Sequence, residues 1–281
     1  MGRNPRATVA GTAGPRMPRA PFRALVVGRG LVAAVPALLA AAPVWAQAPA
    51  SPDGASHATV AACTLAPGPD TLWSLAQCCA KDLTSNPGCL YYSKANEFVV
   101  VKDHAAAKPV AYLIIPSVKV TGVEDNQVFA EPVVDFWQYG WQEAQHYLQK
   151  PSAGLGLAIN SAPGRDQDQL HIHISCVLPA VAQTLAQNDA KIGSDPAKAV
   201  TLPLGPHNNA YKVVKVTALG DKNSPFNLIA AIPHAKDHMG DQSIAVIGSK
   251  TAGVYYVLDT YYVKGANRGS AEELLDQACQ G

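Results

Sequence analysis

The stretch Gln169-Leu170-His171-Ile172-His173-Ile174-Ser175-Cys176 alternates polar and apolar residues with a period of two. In an extended strand neighbouring side chains point to opposite faces, so Gln169, His171, His173 and Ser175 share one face and Leu170, Ile172 and Ile174 the other. Such a strand needs an apolar layer behind it and room for polar groups in front. Two imidazoles side by side on a strand suit metal ligation, nucleophilic catalysis with a helper, or an exposed histidine-rich surface without chemistry.

The other constraints come from charge and cysteine. Among 281 residues, Lys and Arg number 22 against 21 Asp and Glu, so no broad basic field exists to hold nucleic acid by its phosphates. Any phosphate is gripped locally. The segment 1–46 reads as an export signal. It has a leader rich in arginine from Arg3 to Arg29, an apolar run from Leu31 to Ala42, and a small-residue cut site at Val44-Trp45-Ala46. The run falls short of the ~20 residues that span a bilayer, and extending it back to Leu25 takes in Arg29, so cleavage is favoured over a retained anchor. All six cysteines (Cys63, Cys78, Cys79, Cys89, Cys176, Cys279) follow the cut. An even number in an exported chain reads as disulfides.

Residues 47–68 are rich in Ala, Pro, Ser and Gly and form a lead-in to a domain spanning 69–281. Asp70 caps a helix carrying Leu72, Leu75, Ala76 and Cys79, and the turn Asn86-Pro87-Gly88 folds Cys89 back toward Cys78 or Cys79. Strands are expected at Phe98 to Lys102 and Val110 to Ile115, then an amphipathic helix from Val133 to Gln149 on Trp137, Trp141, Ala144 and Leu148. Leu155 to Ile159 and the histidine strand form an antiparallel hairpin, with the polar loop Arg165 to Gln169 beside the histidines. A helix through Val181 and Leu185 precedes a polar stretch to Pro206. Strands are expected at Tyr211 to Val216, Phe226 to Ile232, Ser243 to Ile247 and Val254 to Val263. The capping box Ser270-Ala271-Glu272-Glu273 opens a last helix ending near Cys279.

Two short echoes suggest related halves of which only the first keeps the histidines. Leu113-Ile114-Ile115-Pro116 resembles Ala230-Ala231-Ile232-Pro233, and Leu157-Ala158-Ile159-Asn160-Ser161 resembles Ala245-Val246-Ile247-Gly248-Ser249.

Zinc would need a third ligand from His207, His234 or His238, and no His-Glu-x-x-His helix exists to support it. A two-strand phosphoesterase site would need His57-Ala58-Thr59 as partner to His173-Ile174-Ser175, and His57 lies in the lead-in. A neutral imidazole, in contrast, attacks phosphorus near pH 7 without a separate base, provided its other nitrogen is held by an acceptor.

The alternation Gln169-x-His171-x-His173 is similar to the histidine-triad superfamily of nucleotide hydrolases and transferases. Further blocks resemble the bacterial CDP-diacylglycerol pyrophosphatases: Tyr112-Leu113-Ile114-Ile115-Pro116, Leu157 to Ser161, His171 to Cys176, Ser224-Pro225-Phe226, His238-Met239-Gly240 and Ser270 to Glu273. The resemblance runs from about Leu72 to Cys279. Gln169 departs from it, since that family commonly places a histidine there.

The resemblance implies an α+β, histidine-triad-like antiparallel sheet with packed helices. It implies hydrolysis of CDP-diacylglycerol to CMP and phosphatidate at the periplasmic face of the inner membrane, with no cofactor or metal. His171 matches the nucleophile that forms a cytidylyl-histidine, and His173 assists the phosphate or the leaving group; reading two residues later would exchange the roles. Asn160, Ser161, Gln167, Gln169, Lys119 and His238 are candidate substrate contacts. Each also has an ordinary structural reading, in turn chemistry, surface solvation or a backbone hydrogen bond. Matching cysteines imply Cys176–Cys279, bridging the active strand to the last helix, and Cys79 (or Cys78) with Cys89, leaving the other for Cys63. Membrane contact follows from the substrate, and whether two chains pair is left open. The rival readings are an exported zinc hydrolase using His171 and His173, and a nucleotide- or lipid-binding module with a dead site.

Overall fold

The computed structural model describes residues 63–103 and 107–281; the leader, the cut site and His57 lie outside the described residues. These residues form ten strands and four α-helices. The strands are β1 (Cys89–Ser93), β2 (Phe98–Lys102), β3 (Tyr112–Pro116), β4 (Leu155–Ile159), β5 (Ile172–Val177), β6 (Val200–Leu204), β7 (Asn209–Val216), β8 (Gln242–Gly248), β9 (Tyr255–Tyr261) and β10 (Leu275–Asp276). The helices are α1 (Thr71–Lys81), α2 (Phe136–Leu148), α3 (Pro179–Asn188) and α4 (Pro225–Ala230).

All strands join one sheet in the order β1-β2-β3-β5-β4-β8-β9-β7-β6, with β10 added to β5, and every pairing is antiparallel. The fold is therefore α+β. On one face Ile172, Ile174, Leu157 and Ile159 pack under α2 through Trp137, Trp141 and Ala144. Gly140 lets α2 approach closely, because a Cβ there would lie 3.3 Å from Ile114 Cγ2. This layer is what the alternation of the histidine strand demanded.

The sheet is built from two halves with one connectivity. With the edge strand β1 set aside, reading inward gives β2, β3, β5, β4 on one side and β6, β7, β9, β8 on the other. Each half runs hairpin, helix, hairpin, with α2 and α4 in the equivalent place, and the halves meet where Ala158 faces Ala245. The two sequence echoes do not give this alignment. Leu113–Pro116 is strand whereas Ala230–Pro233 starts on the last residue of α4 and runs on from it, and Leu157 and Ala245 belong to clusters on opposite faces of the sheet. With a period of two, a one-residue offset moves every side chain to the wrong face. Across from Ala158 stands His173, and across from Ala245 stands Leu258. On that face the second half is filled by Leu258, Tyr256, Leu202, Tyr211 and α3 through Val181 and Leu185.

Three other expectations are corrected. Phe226 to Ile232 is not a strand but α4, since Ser224-Pro225 starts a helix and a short apolar run does not distinguish the two. The polar stretch before Pro206 contains strand β6, and β1 precedes β2. The last helix is replaced by a 3-10 turn (Ala271–Leu274) and β10. Its capping box fails because Ser270 Oγ donates to Asn160 Oδ1 (3.0 Å), while Glu273 Oε1 accepts from Asn209 Nδ2 (2.9 Å) and Tyr211 OH (2.8 Å).

All six cysteines are paired, as Cys63–Cys78, Cys79–Cys89 and Cys176–Cys279, the pattern of a non-cytoplasmic protein. The first ties Cys63, within the lead-in, to α1. No helix among the described residues is long and apolar enough to cross a membrane.

Candidate active site

His173 on β5, and His171 in the residue just before it, emerge on the side of the sheet opposite α2 and line a cavity of about 860 Å³. Their rings lie 4.9 Å apart between centroids, at 69° to one another. Both residues are buried, but their nearest partners differ in kind. His171 Nδ1 is 2.7 Å from the backbone carbonyl of Gln169. A carbonyl only accepts, so Nδ1 carries the proton and Nε2 keeps its lone pair. Burial, assisted by the neighbouring His173, pushes this imidazole down to about 3, so it is neutral at physiological pH.

His173 meets a carboxylate instead. Its Nδ1 lies 3.2 Å from Glu272 Oε1, off the line that a hydrogen bond requires, and neither of its nitrogens has another hydrogen-bond partner among the described residues. Burial lowers its pKa as well. Glu272 comes from the segment pinned to β5 by β10 and the Cys176–Cys279 disulfide. Lys108 Nζ and Gln277 Nε2 donate to Glu272 Oε1, and Asn160 Nδ2 donates to Oε2 (3.3 Å). Burial alone would raise the Glu272 carboxyl, but His173, Lys108 and Asn160 outweigh it and hold it down to about 2, fully ionised. Lys108 also lies 3.4 Å from Asp103.

Asp103, His173 and Glu272 each bring one ligand atom within 4.8 Å of the others, a set that a divalent ion could use. Lys108 already places an ammonium on both carboxylates. The imidazole set considered from the sequence is not assembled. His207 lines the same cavity, but His234 and His238 line a separate one of about 430 Å³ beside Lys212, Gln242 and Tyr261. Strand alternation puts those three on the α2 side of the sheet, with Val214, Ile244 and Val257.

Of the sequence candidates, His171, His173, Asn160 and Gln167 meet at the cavity. Gln167 is tied into its wall, accepting from Leu72 N (3.0 Å) and donating to the Gly68 carbonyl (3.2 Å). Ser161, Gln169, Lys119 and His238 are not among the residues that line it. Ser161 Oγ, fully buried, donates to the Gly269 carbonyl (2.8 Å). Gln169 Nε2 donates to the carbonyls of Pro116 (3.0 Å) and Val118 (2.8 Å), while its Oε1 accepts from Val120 N (3.3 Å). Lys119 pairs with Asp70 and lies over the Trp73 ring, drawing Asp70 away from capping α1. Lys108, Asp103 and Arg165 were missed as site residues and Glu272 was read only as a cap. Arg165 lines the cavity with its guanidinium on Glu124 (2.8 Å) and on the Gln167 carbonyl (3.0 Å).

A family model described as CDP-diacylglycerol pyrophosphatase matches residues 67–281. A protein of that name from Yersinia pestis is 32% identical over 222 residues, covering 75% of this chain and 84% of the relative. The chain belongs to the CDP-diacylglycerol pyrophosphatase family. It is thereby a hydrolase acting on a pyrophosphate bond. Similar solved structures include a HIT family hydrolase from Clostridium thermocellum, with 27% identity, 36% of this chain, 89% of that one and a TM-score of 0.30. Another is a yeast Ap4A phosphorylase, with 11% identity, 65% and 63% coverage and a TM-score of 0.40. The family match spans both halves of the sheet, although both imidazoles belong to the first.

Proposed function

We propose that the protein hydrolyses CDP-diacylglycerol to CMP and phosphatidate, with His171 as the nucleophile. The observation that carries this reading is the contact of His171 Nδ1 with the Gln169 carbonyl, which leaves a neutral ring with its Nε2 lone pair free at a cavity large enough for a nucleotide. Nε2 attacks the cytidylyl phosphorus in line, the bond to the bridging oxygen breaks, and its electron pair leaves with phosphatidate. Water then opens the cytidylyl-His171, releasing CMP and restoring the lone pair. Lys108, Arg165 and Arg268 are the cations lining the cavity for the pyrophosphate; Lys108 and Arg165 are each paired with carboxylates, so substrate oxygens there exchange with Glu272, Asp103 and Glu124. The three disulfides, together with the reading of residues 1–46, support action at the periplasmic side of the inner membrane.

The test uses substrate labelled at the cytidine α-phosphate. Acid-labile label is retained by the wild type quenched during turnover and absent from His171→Ala, and hydrolysis survives a strong chelator. Loss of activity on chelation would favour an ion held by Asp103, His173 and Glu272.

A further inference from the structure

We propose that Glu272, acting through His173, supplies the base for the second half of the reaction, in which water opens the cytidylyl-His171. The inference rests on the covalent reading above and asks which groups serve each step.

The unequal partners of the two imidazoles assign the roles. A backbone carbonyl fixes the tautomer of His171 without rewarding a positive charge, which suits a ring that must stay a lone-pair donor. A carboxylate beside Nδ1 stabilises the imidazolium formed when the other nitrogen takes a proton, which suits a ring that handles protons. Glu272 lies 3.2 Å from His173 Nδ1 and is held by Lys108, Gln277 and Asn160, while Asn160 Oδ1 also receives the Glu272 backbone N–H (3.2 Å). The carboxylate is thus fixed from both oxygens and from its own backbone, on a segment bonded to β5. Lys108, Asp103 and His171 are the other titratable groups near His173. The Lys108 ammonium competes with His173 for Glu272, so phosphate oxygens that draw Lys108 away strengthen the hold of Glu272 on His173.

The two chemical steps need this base unequally. Phosphatidate leaves as a stable phosphate anion, with little call for a proton. Water is a poor nucleophile and a very weak acid, so its attack gains most from proton removal. Both the departing phosphatidate and the incoming water lie opposite the phosphorus–nitrogen bond, so one group serves that side. In the second step a water proton passes to His173 Nε2, the oxygen bonds to phosphorus, the phosphorus–nitrogen bond breaks, and its electron pair returns to His171 Nε2. His173 then gives the proton to solvent.

The experiment follows phosphatidate release and label retention in quenched flow with the full-length protein. In Glu272→Gln the first-turnover burst of phosphatidate stays within about threefold of the wild type, steady-state turnover falls about 10²-fold, and labelled enzyme accumulates toward one per site. Glu272→Asp, which keeps the charge, recovers part of the steady-state rate and lowers the label again. A thermal melt checks that both variants fold; should Glu272→Gln not fold, Glu272→Asp is compared with the wild type for the same excess of label. Burst and steady state falling together, without added label, would overturn the role of Glu272 and leave the covalent reading standing. No label in either the wild type or Glu272→Gln at any time, while turnover proceeds, would overturn both.

Discussion

Gln169→Leu separates a structural clamp from a substrate contact. The two side chains are close in volume, so the change deletes hydrogen bonds with little cavity. Three backbone groups lose a partner: the Pro116 and Val118 carbonyls and the Val120 N–H. A buried polar group left unsatisfied costs about 1–3 kcal/mol, and Val118 is only half-buried, where water can replace the lost bond. The expected loss is therefore ~2–4 kcal/mol, read as a lower urea midpoint at unchanged m-value. The backbone carbonyl of Gln169 holds His171 Nδ1, so any shift of this segment lowers kcat rather than raising KM. Stability within about 0.5 kcal/mol of the wild type together with a KM raised tenfold would refute the clamp and return Gln169 to the substrate.

Asp259 is buried with Oδ1 unpartnered, and burial pushes its carboxyl up to about 8 despite Lys212. The folded state keeps a proton that the unfolded state releases near 3.8, so its contribution is lost as pH rises toward 8, and Asp259→Asn melts higher than the wild type by a margin that widens from pH 5 to pH 8. His171 has the opposite sign. Its folded value near 3 lies below the unfolded 6.5, so stability falls as pH drops through that window, and thermal melts of His171→Asn show a shallower acid limb. The Cys176–Cys279 bridge spans 103 residues, and replacing both with Ser lowers stability by about 2–4 kcal/mol in denaturant titrations. Because β10 then loosens Glu272 from His173, steady-state kcat falls more than KM rises.

The histidine strand, the helix behind it and the hairpin joining β4 to β5 were legible because their periods are short and their packing is local. Trp137, Trp141 and Ala144 repeat at helical spacing and are buried against β4 and β5. The second half was harder to read. Phe226 and Ile229 share a buried helical stripe too short to distinguish from a strand. Lys108 and Glu272 were not legible as site residues because they reach His173 from opposite ends of the chain, Lys108 ahead of β3 and Glu272 ahead of β10, only once both strands pair with β5. Their local surroundings point elsewhere: Ser270 to Glu273 has the residues of a capping box, and tertiary partners on Asn160, Asn209 and Tyr211 outbid it. Gln169 lies in a bend ahead of β5 rather than on the strand the alternation suggests, and its amide turns onto the 116–120 backbone.

The central claim is tested most directly by mass analysis of peptides from protein quenched during turnover of CDP-diacylglycerol. One cytidylyl group on the peptide carrying His171, localised to that residue and absent when His171 is replaced by Ala, is the predicted result. Unmodified His171 during active turnover, or the group found on His173, would contradict it.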